Sequence, residues 1–431
     1  MVSSVRRSIP WMAFAAGAVV VAVGLRLDRT GTMLSVPNPP FLWRYEPVVD
    51  VWWSAVAVVV LLLAAVGGPR LLSARVRPGV FALAALVLTI AVRLAESAAG
   101  SGTSGWYEVF DRTRSFEADN EYLPALPTLR YGVDIFLDRF SEVVTSLPVH
   151  AAGHPPGLLL LMDRLEIRTP EGLAALCIGA GVLATPILYP LARRLLEDEG
   201  AARSAALLLA LSPGVTMFGV TSADALYMTL GLIAALALVA VPRVVGATLG
   251  ALTLAAASFF AWSLLAVGAW AAVLRLRRDG LRPALLLAAA CGVGLVAFYA
   301  VLHAAYGFDP VGTLRGTEQV YRDGIARGRP YSFWLFGSPV AFLVTLGLPI
   351  TWYAFRALGA GRSVAVAIFA VLAIATVLGF TKAETERIWL FFAPFLCLAA
   401  ASVLPRRRLP LVLGLLAAQG LASELLYDSV W

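Results

Sequence analysis

Three groups of residues stand out by type and spacing as able to do chemistry. The first is Glu117-Ala-Asp119-Asn-Glu121-Tyr122, with Asp111 upstream. Carboxylates this close repel one another; a solvated loop tolerates that, whereas a partly buried one needs cations or protons nearby. Such a set can supply a general base for an acceptor hydroxyl, with a divalent cation such as Mg or Mn bridging donor phosphate oxygens. The plain alternative is a solvated turn. The second group is His150-Ala-Ala-Gly-His154-Pro155-Pro156-Gly157, which holds two of the chain's three histidines. Prolines suit the first turn of a helix, which puts His154 at the cap, facing the loop. Metal ligation with Asp119 and Glu121, phosphate contact and orientation of an acidic neighbour are all open to these histidines, as is a merely structural elbow.

The third group is Thr381-Lys382-Ala-Glu384-Thr-Glu386-Arg387-Ile-Trp389, wedged between two apolar runs. Charges there are expensive unless they pair or serve a substrate. Glu384, Glu386 and Arg387 can satisfy one another, and Lys382 with Arg387 can hold a phosphate, Arg doing so bidentately. Lys382 is the single lysine among 34 basic residues, a bias that indicates a GC-rich bacterial genome. Asp224, in Thr221-Ser-Ala-Asp224-Ala-Leu, stands at a helix start, either as a cap for backbone amides or as a site residue. The segment 307–332 adds Arg315, Glu318, Tyr321, Arg322, Arg327 and Arg329, followed by the aromatic run Tyr331–Phe336. That mix suits an anionic or sugar-bearing ligand, and equally ordinary headgroup anchoring.

The elements that must position these groups are membrane helices. Of 431 residues 60% are apolar and 14% charged, with a mean hydropathy of +0.81, against roughly 45–50% and about 25% in soluble domains. This excludes a soluble enzyme, a disordered chain and a nucleic-acid-binding module, and makes the lipid bilayer a partner. The net charge of +7 is a topology signal. Apolar runs predict an all-α polytopic membrane protein with about 11–13 transmembrane helices. The first run, Pro10 to Leu25, lacks a small-residue cleavage site and reads as an uncleaved helix. Runs at 201–219, 260–274, 333–355 and 388–404 are counted as spans, and Pro155 to Met162 is too short to cross. Arg6/Arg7, Arg70/Arg75/Arg77, Arg193/Arg194/Arg203, Arg243, Arg275/Arg277/Arg278/Arg282, Arg356/Arg362 and Arg406/Arg407/Arg408 form short basic loops. They place the N-terminus in the cytoplasm of a bacterial cell, with the chain multi-pass in its plasma membrane. The long loops 28–49, 98–154 and 306–332 then lie outside. Loop 98–154 contains an amphipathic stretch from Val133 that suits the membrane interface. Cys177, Cys291 and Cys397 all lie in apolar runs and read as packing residues.

In order along the chain these features resemble the GT-C superfamily of membrane glycosyltransferases, in particular the protein O-mannosyltransferases, the aminoarabinose transferases and related actinobacterial membrane proteins. The resemblance rests on a large acidic loop after the N-terminal helices, His154-Pro-Pro-Gly157 leading into a helix, Ser222-Ala-Asp224-Ala-Leu226, and the late Glu384-Thr-Glu386-Arg387-Ile-Trp segment. It implies an extra N-terminal helical segment (1–78), a core (79–404) that includes the loops 98–154 and 306–332, and a last helix (405–431). It further implies an inverting transfer of a sugar from a polyprenyl-phosphate-linked donor to a glycan, lipid or protein acceptor at the extracytoplasmic face. Asp119, Glu121 and Glu117 would then be the catalytic candidates. His150, His154, Asp224, Lys382, Glu384, Glu386, Arg387 and Arg322 would hold the donor phosphate or substrate. A transporter or flippase of a lipid-linked saccharide is the alternative; it calls for charges at mid-membrane depth. An outer-face acyl- or phosphotransferase is a third possibility, for which the chain offers no nucleophile constellation.

Overall fold

The structure is a computed structural model that describes residues 2–73, 75–429 and 431; the side chains of residues 2–7, including Arg6 and Arg7, and of Ile325 lie outside the description. Among the described residues the chain is almost wholly helical, and its only sheet pairs Arg44–Tyr45 antiparallel with Tyr427–Asp428. Six helical segments are long and apolar enough to cross a membrane: Ser8–Arg29, Val51–Leu72, Pro78–Phe110, Pro170–Leu195, Leu281–Tyr306 and Arg406–Leu426. Two bent pairs raise the number to eight if each is one span. Glu199–Ala210 meets Pro213–Thr221 at 54°, and Tyr331–Leu346 meets Leu348–Gly359 at 114°. The bends have local causes. Pro213 cannot continue a helix, and Gly347 sits at φ 122°, where a β-carbon is disfavoured and would also strike Leu416.

Among the described residues the protein is thus an all-α polytopic membrane protein, with six to eight helical segments that meet the length and apolarity of a span where hydropathy alone predicts 11–13. The runs at 201–219 and 333–355 are the bent pairs. The run at 388–404 contains the nine-residue helix Ala393–Ala401, all of it buried, and Asp224–Leu238, Arg243–Ser258 and Ser363–Leu378 are shorter apolar helices. A helix that is apolar all round is as readily a protein core element as a lipid-facing one. The residues from Pro155 form a short helix, Gly157–Arg164, and Pro170–Leu195 alone makes the crossing that follows. Gly157 allows this short helix to press against the Phe259 carbonyl, to which its N–H donates at 3.0 Å. Arg203, expected in a basic loop, is buried and donates to the carbonyls of Leu71, Ser73 and Val76.

Helix boundaries follow local chemistry. Asp50 caps Val51–Gly67 by accepting from Trp53 N–H at 2.9 Å, Pro78 opens Pro78–Ser101, and Gly102 at φ 68° ends it. The N-terminal helices are packed into the same body as the rest: Ala57 lies against Ala95 and Ala99. Loop 98–154 folds into short helical turns whose Val109, Phe110, Tyr122, Leu126, Phe136 and Phe140 enter the main core. The amphipathic stretch is two short helices, Val133–Asp138 and Phe140–Val143, broken at Arg139. Phe140 reaches Phe308 of the other long loop, whose helix Pro310–Asp323 is capped by Asp309. The two loops thus pack against each other. Cys177, Cys291 and Cys397 are buried free thiols, as packing residues should be.

Candidate active site

Within the acidic loop, residues 115–121 turn Glu117 and Glu121 inward. Ser115 caps the turn Phe116–Asp119 by accepting from Glu117 N–H. Glu117 Oε1 lies 2.8 Å from His150 Nε2, and Glu117 Oε2 accepts from Asn120 Nδ2 at 3.3 Å. The His150 backbone N–H donates to Asn120 O at 2.9 Å, which ties the histidine segment to the acidic one. Glu121 Oε1 is 3.9 Å from the same imidazole nitrogen, and its side chain is 3% exposed. Burial holds the Glu121 carboxyl above the ordinary glutamate range, with His150 and Arg387 pulling the other way. Burial also opposes charge on His150, but Glu121 and Glu117 outweigh it and raise its pKa. The arrangement is a carboxylate–imidazole–carboxylate centre that can accept and relay a proton.

A second group of charges comes from the late segment. Arg387 Nη1 is 2.7 Å from Asp224 Oδ2, and its Nη2 is 3.4 Å from Glu384 Oε2. Asp224 is not a cap; its carboxylate also accepts from Ser222 Oγ at 2.7 Å, and it opens Asp224–Leu238. Glu384, in the left-handed region at φ 54°, pairs its other oxygen with Arg329 Nη2. Burial disfavours the Glu384 charge, yet Arg329 and Arg387 hold its pKa below the ordinary value. The same two acids that flank Arg387 raise its pKa in spite of burial. Arg387 and Arg329 nevertheless each keep a buried Nε with no partner. Buried ion pairs are costly to desolvate and serve position more than stability.

Joining the two groups is the Trp431 indole, whose Nε1 lies 3.5 Å from Glu121 Oε1 and whose ring centroid is 4.2 Å from Arg387 Cζ. Tyr122, next to Glu121, and Tyr227, one turn after Asp224, share a 2.8 Å hydrogen bond between their hydroxyls. His154 stacks near both tyrosines, at 6.4 and 5.0 Å between centroids, and burial lowers its pKa to about 4. It is a neutral side chain in an aromatic cleft. The cap of Gly157–Arg164 is Pro156, not His154.

The residues singled out in the sequence thus divide. Glu117, Glu121, His150, His154, Asp224, Glu384 and Arg387 gather in one buried centre. Glu386 lies beside it, with Oε1 accepting from Leu42 N–H at 2.8 Å; burial raises its pKa to about 7. Lys382 stands behind Arg329, its Nζ donating to the carbonyls of Ala326 and Arg329 at 2.8 Å each. Asp119 is turned outward, 63% exposed and paired with Arg112. Arg322 is exposed and paired with Glu318. Asp119 therefore does not join Glu121 and His154, and among the described residues no group of three or more His, Cys, Asp or Glu side chains is placed to hold a metal ion.

Trp431 is a site residue that the sequence did not single out, and Arg329, named there only among the charges of 307–332, proves to be the one that reaches the centre. Arg329 was one of several loop arginines with nothing to distinguish it, and Trp431 had no neighbouring motif. Arg93 and Glu96 were also passed over, although charges inside an apolar run are a signal. Both are buried in Pro78–Ser101; Arg93 Nη1 lies 3.5 Å from Gly219 O, and Glu96 Oε1 accepts from Thr216 Oγ1 at 2.7 Å. The chain matches no protein-family model and no curated protein.

Proposed function

We propose that the protein is an inverting membrane glycosyltransferase of the GT-C kind, using a polyprenyl-phosphate-linked sugar at the extracytoplasmic face of a bacterial plasma membrane. The observation that carries this reading is the meeting of a buried proton-accepting centre (Glu117, His150, Glu121) with a buried guanidinium (Arg387) that retains an unpartnered Nε. In the proposed reaction an acceptor hydroxyl gives its proton to Glu121, assisted by the Glu117–His150 pair, as its oxygen bonds to the anomeric carbon. The bond from that carbon to the phosphate oxygen breaks on the opposite face, and polyprenyl phosphate leaves with the electron pair. Arg387 and Arg329 stabilise the charge that grows on the leaving phosphate. Asp224 and Glu384 hold Arg387 in position, so that little reorganisation is needed at the moment of transfer.

The orientation rests on the arginines. Arg70, Arg75, Arg77 and Arg406–Arg408 lie in short connecting segments, Arg193, Arg194, Arg275, Arg277 and Arg278 lie at the C-terminal ends of Ala184–Leu195 and Leu265–Asp279, and none belongs to this centre. By the positive-inside rule those connections and helix ends are cytoplasmic and the site faces outward. A glycan, lipid or protein hydroxyl is compatible with a carboxylate base.

Purified protein incubated with decaprenyl- or undecaprenyl-phosphate-linked sugars should release polyprenyl phosphate, and Glu121→Gln should suppress that release. One observation favours the transporter alternative: Arg93 and Glu96 are buried inside a membrane-spanning segment. In reconstituted vesicles, movement of lipid-linked sugar across the bilayer without consumption of donor would decide for transport.

A further inference from the structure

Beside the last helix, Leu409–Leu426, runs an apolar groove of about 480 Å³ that shares no residue with the candidate active site. Phe14 of Ser8–Arg29 and Trp352 of Leu348–Gly359 line one side, their ring centroids 5.6 Å apart. Leu411 and Leu415 of the last helix line the other, 63% and 50% exposed. The groove ends at Gln419, where the 114° bend at Gly347 breaks a helix. Gln419 Oε1 accepts from Leu348 N–H at 2.9 Å, and its Nε2 donates to Val344 O at 2.8 Å. In an unbroken helix those two backbone groups would bond each other. Gln419 thus spends its amide on the chain itself, and hydrocarbon can lie there without stranding a backbone group.

The mouth of the groove is charged. Arg408 lines it where the last helix begins, and Arg407 beside it is exposed. Arg406 pairs with Asp198, whereas Arg407 and Arg408 make no ion pair among the described residues. Gln419 lies eleven residues beyond Arg408, about 16 Å of helix rise. That is close to half of a hydrocarbon core about 30 Å thick, the depth of one leaflet. A slot of this volume and length is too narrow for a helix of about 10 Å diameter from a second copy of the chain. We propose that the groove binds one anionic phospholipid, an acyl chain between Trp352 and Leu415 and the headgroup phosphate on Arg408 and Arg407. Arginine suits that phosphate because its planar fork can hold two oxygens at once. The orientation argued above puts this lipid in the cytoplasmic leaflet, at the face opposite the candidate centre. It fills the gap between the first helix and the last, and it does not depend on the glycosyltransferase reading.

The test titrates the full chain in detergent with dioleoylphosphatidylglycerol or dioleoylphosphatidylcholine and counts retained lipid by native mass spectrometry. The native chain should hold one phosphatidylglycerol about fivefold or more tightly than phosphatidylcholine, the scale of one arginine near a charged headgroup. Arg407→Gln/Arg408→Gln should lose that preference. Leu415→Trp fills the groove and keeps both arginines. It should weaken phosphatidylglycerol about tenfold, as when two methylenes leave an apolar site. Equal retention of the two lipids by the native chain, or no retention of either, would overturn the proposal. An unchanged preference in the arginine variant or unchanged binding by Leu415→Trp would do the same. Displacement of the lipid by glycerol 1-phosphate would mark a site for soluble anions instead, and dimers that Leu415→Trp breaks would assign the groove to a second copy.

Discussion

His150 Nε2 lies 2.8 Å from Glu117 Oε1, although the two residues are 33 positions apart in the chain. The contact closes residues 117–150 of the acidic loop on themselves and leaves Glu121 near the same nitrogen, at 3.9 Å. Two carboxylates thus face one imidazole, the arrangement on which the proposed chemistry rests.

The three acids of the loop should separate cleanly. Glu121→Gln and Glu117→Gln are each expected to lower polyprenyl phosphate release by about a hundredfold or more, the usual scale of general-base loss. Asp119→Asn should leave it within about twofold, because an exposed pair with Arg112 contributes little. Full activity in both glutamine variants would remove the proposed base.

The pH profile gives a second check. The base acts only when ionised, so the rate rises with pH through its pKa. Burial places Glu121 above the ordinary glutamate value of 4.5, and His150 pulls it down. The acid limb of kcat/KM should therefore lie above 4.5 and move to still higher pH in His150→Asn. A limb that stays in place in that variant would assign the titration to another group.

Ring-labelled histidine NMR should find the two loop histidines in opposite states. His150, with a raised pKa, keeps its proton above pH 6.5, while His154, at about 4, stays neutral throughout the physiological range. The linkage follows: between pH 6.5 and about 4 the unfolded chain binds the His154 proton and the folded chain does not. The stability due to neutral His154 is present above 6.5 and is lost as pH falls through this window. The melting midpoint of His154→Gln should accordingly depend less on pH between those values.

Asp224 and Arg387 should behave as a coupled pair. Asp224→Asn leaves the buried guanidinium facing Glu384 alone, and breaking a buried pair of this kind costs about 3–5 kcal/mol. The double variant Asp224→Asn/Arg387→Gln should be less destabilised than the sum of its singles, since it leaves no uncompensated charge. Thermal unfolding in detergent reads this directly; strict additivity would mean the pair is not coupled.

Glu386 is expected to be structural. Its pKa of about 7 makes it largely protonated under mildly acidic conditions, and Oε1 holds the Leu42 N–H. Glu386→Gln keeps an acceptor there and should melt within a degree or two of the native chain at pH 6. Glu386→Ala leaves that buried N–H unsatisfied, at a cost of about 1–3 kcal/mol.

Much of the architecture was legible along the chain, because hydrocarbon tolerates only backbones that satisfy themselves, and 60% apolar composition leaves helices as the means. The acidic loop, the paired histidines, Asp224 and the 384–387 charges were legible too, as charges that an apolar chain keeps at a cost. What one dimension could not carry was depth and direction. Hydropathy cannot distinguish a helix that faces lipid from one such as Ala393–Ala401 that is buried along its whole length. Asp119 and Glu121 are two residues apart and equally acidic, yet one pairs with Arg112 in water and the other is buried against His150. A one-turn change in backbone path decides that, and no residue type records it. Likewise only the return of the chain along Arg44–Tyr45 brings Trp431 onto Arg387, a contact between residues 44 positions apart whose types alone gave no reason to connect them. Residue types set which groups the protein could not bury for nothing, and tertiary packing chose which of them meet.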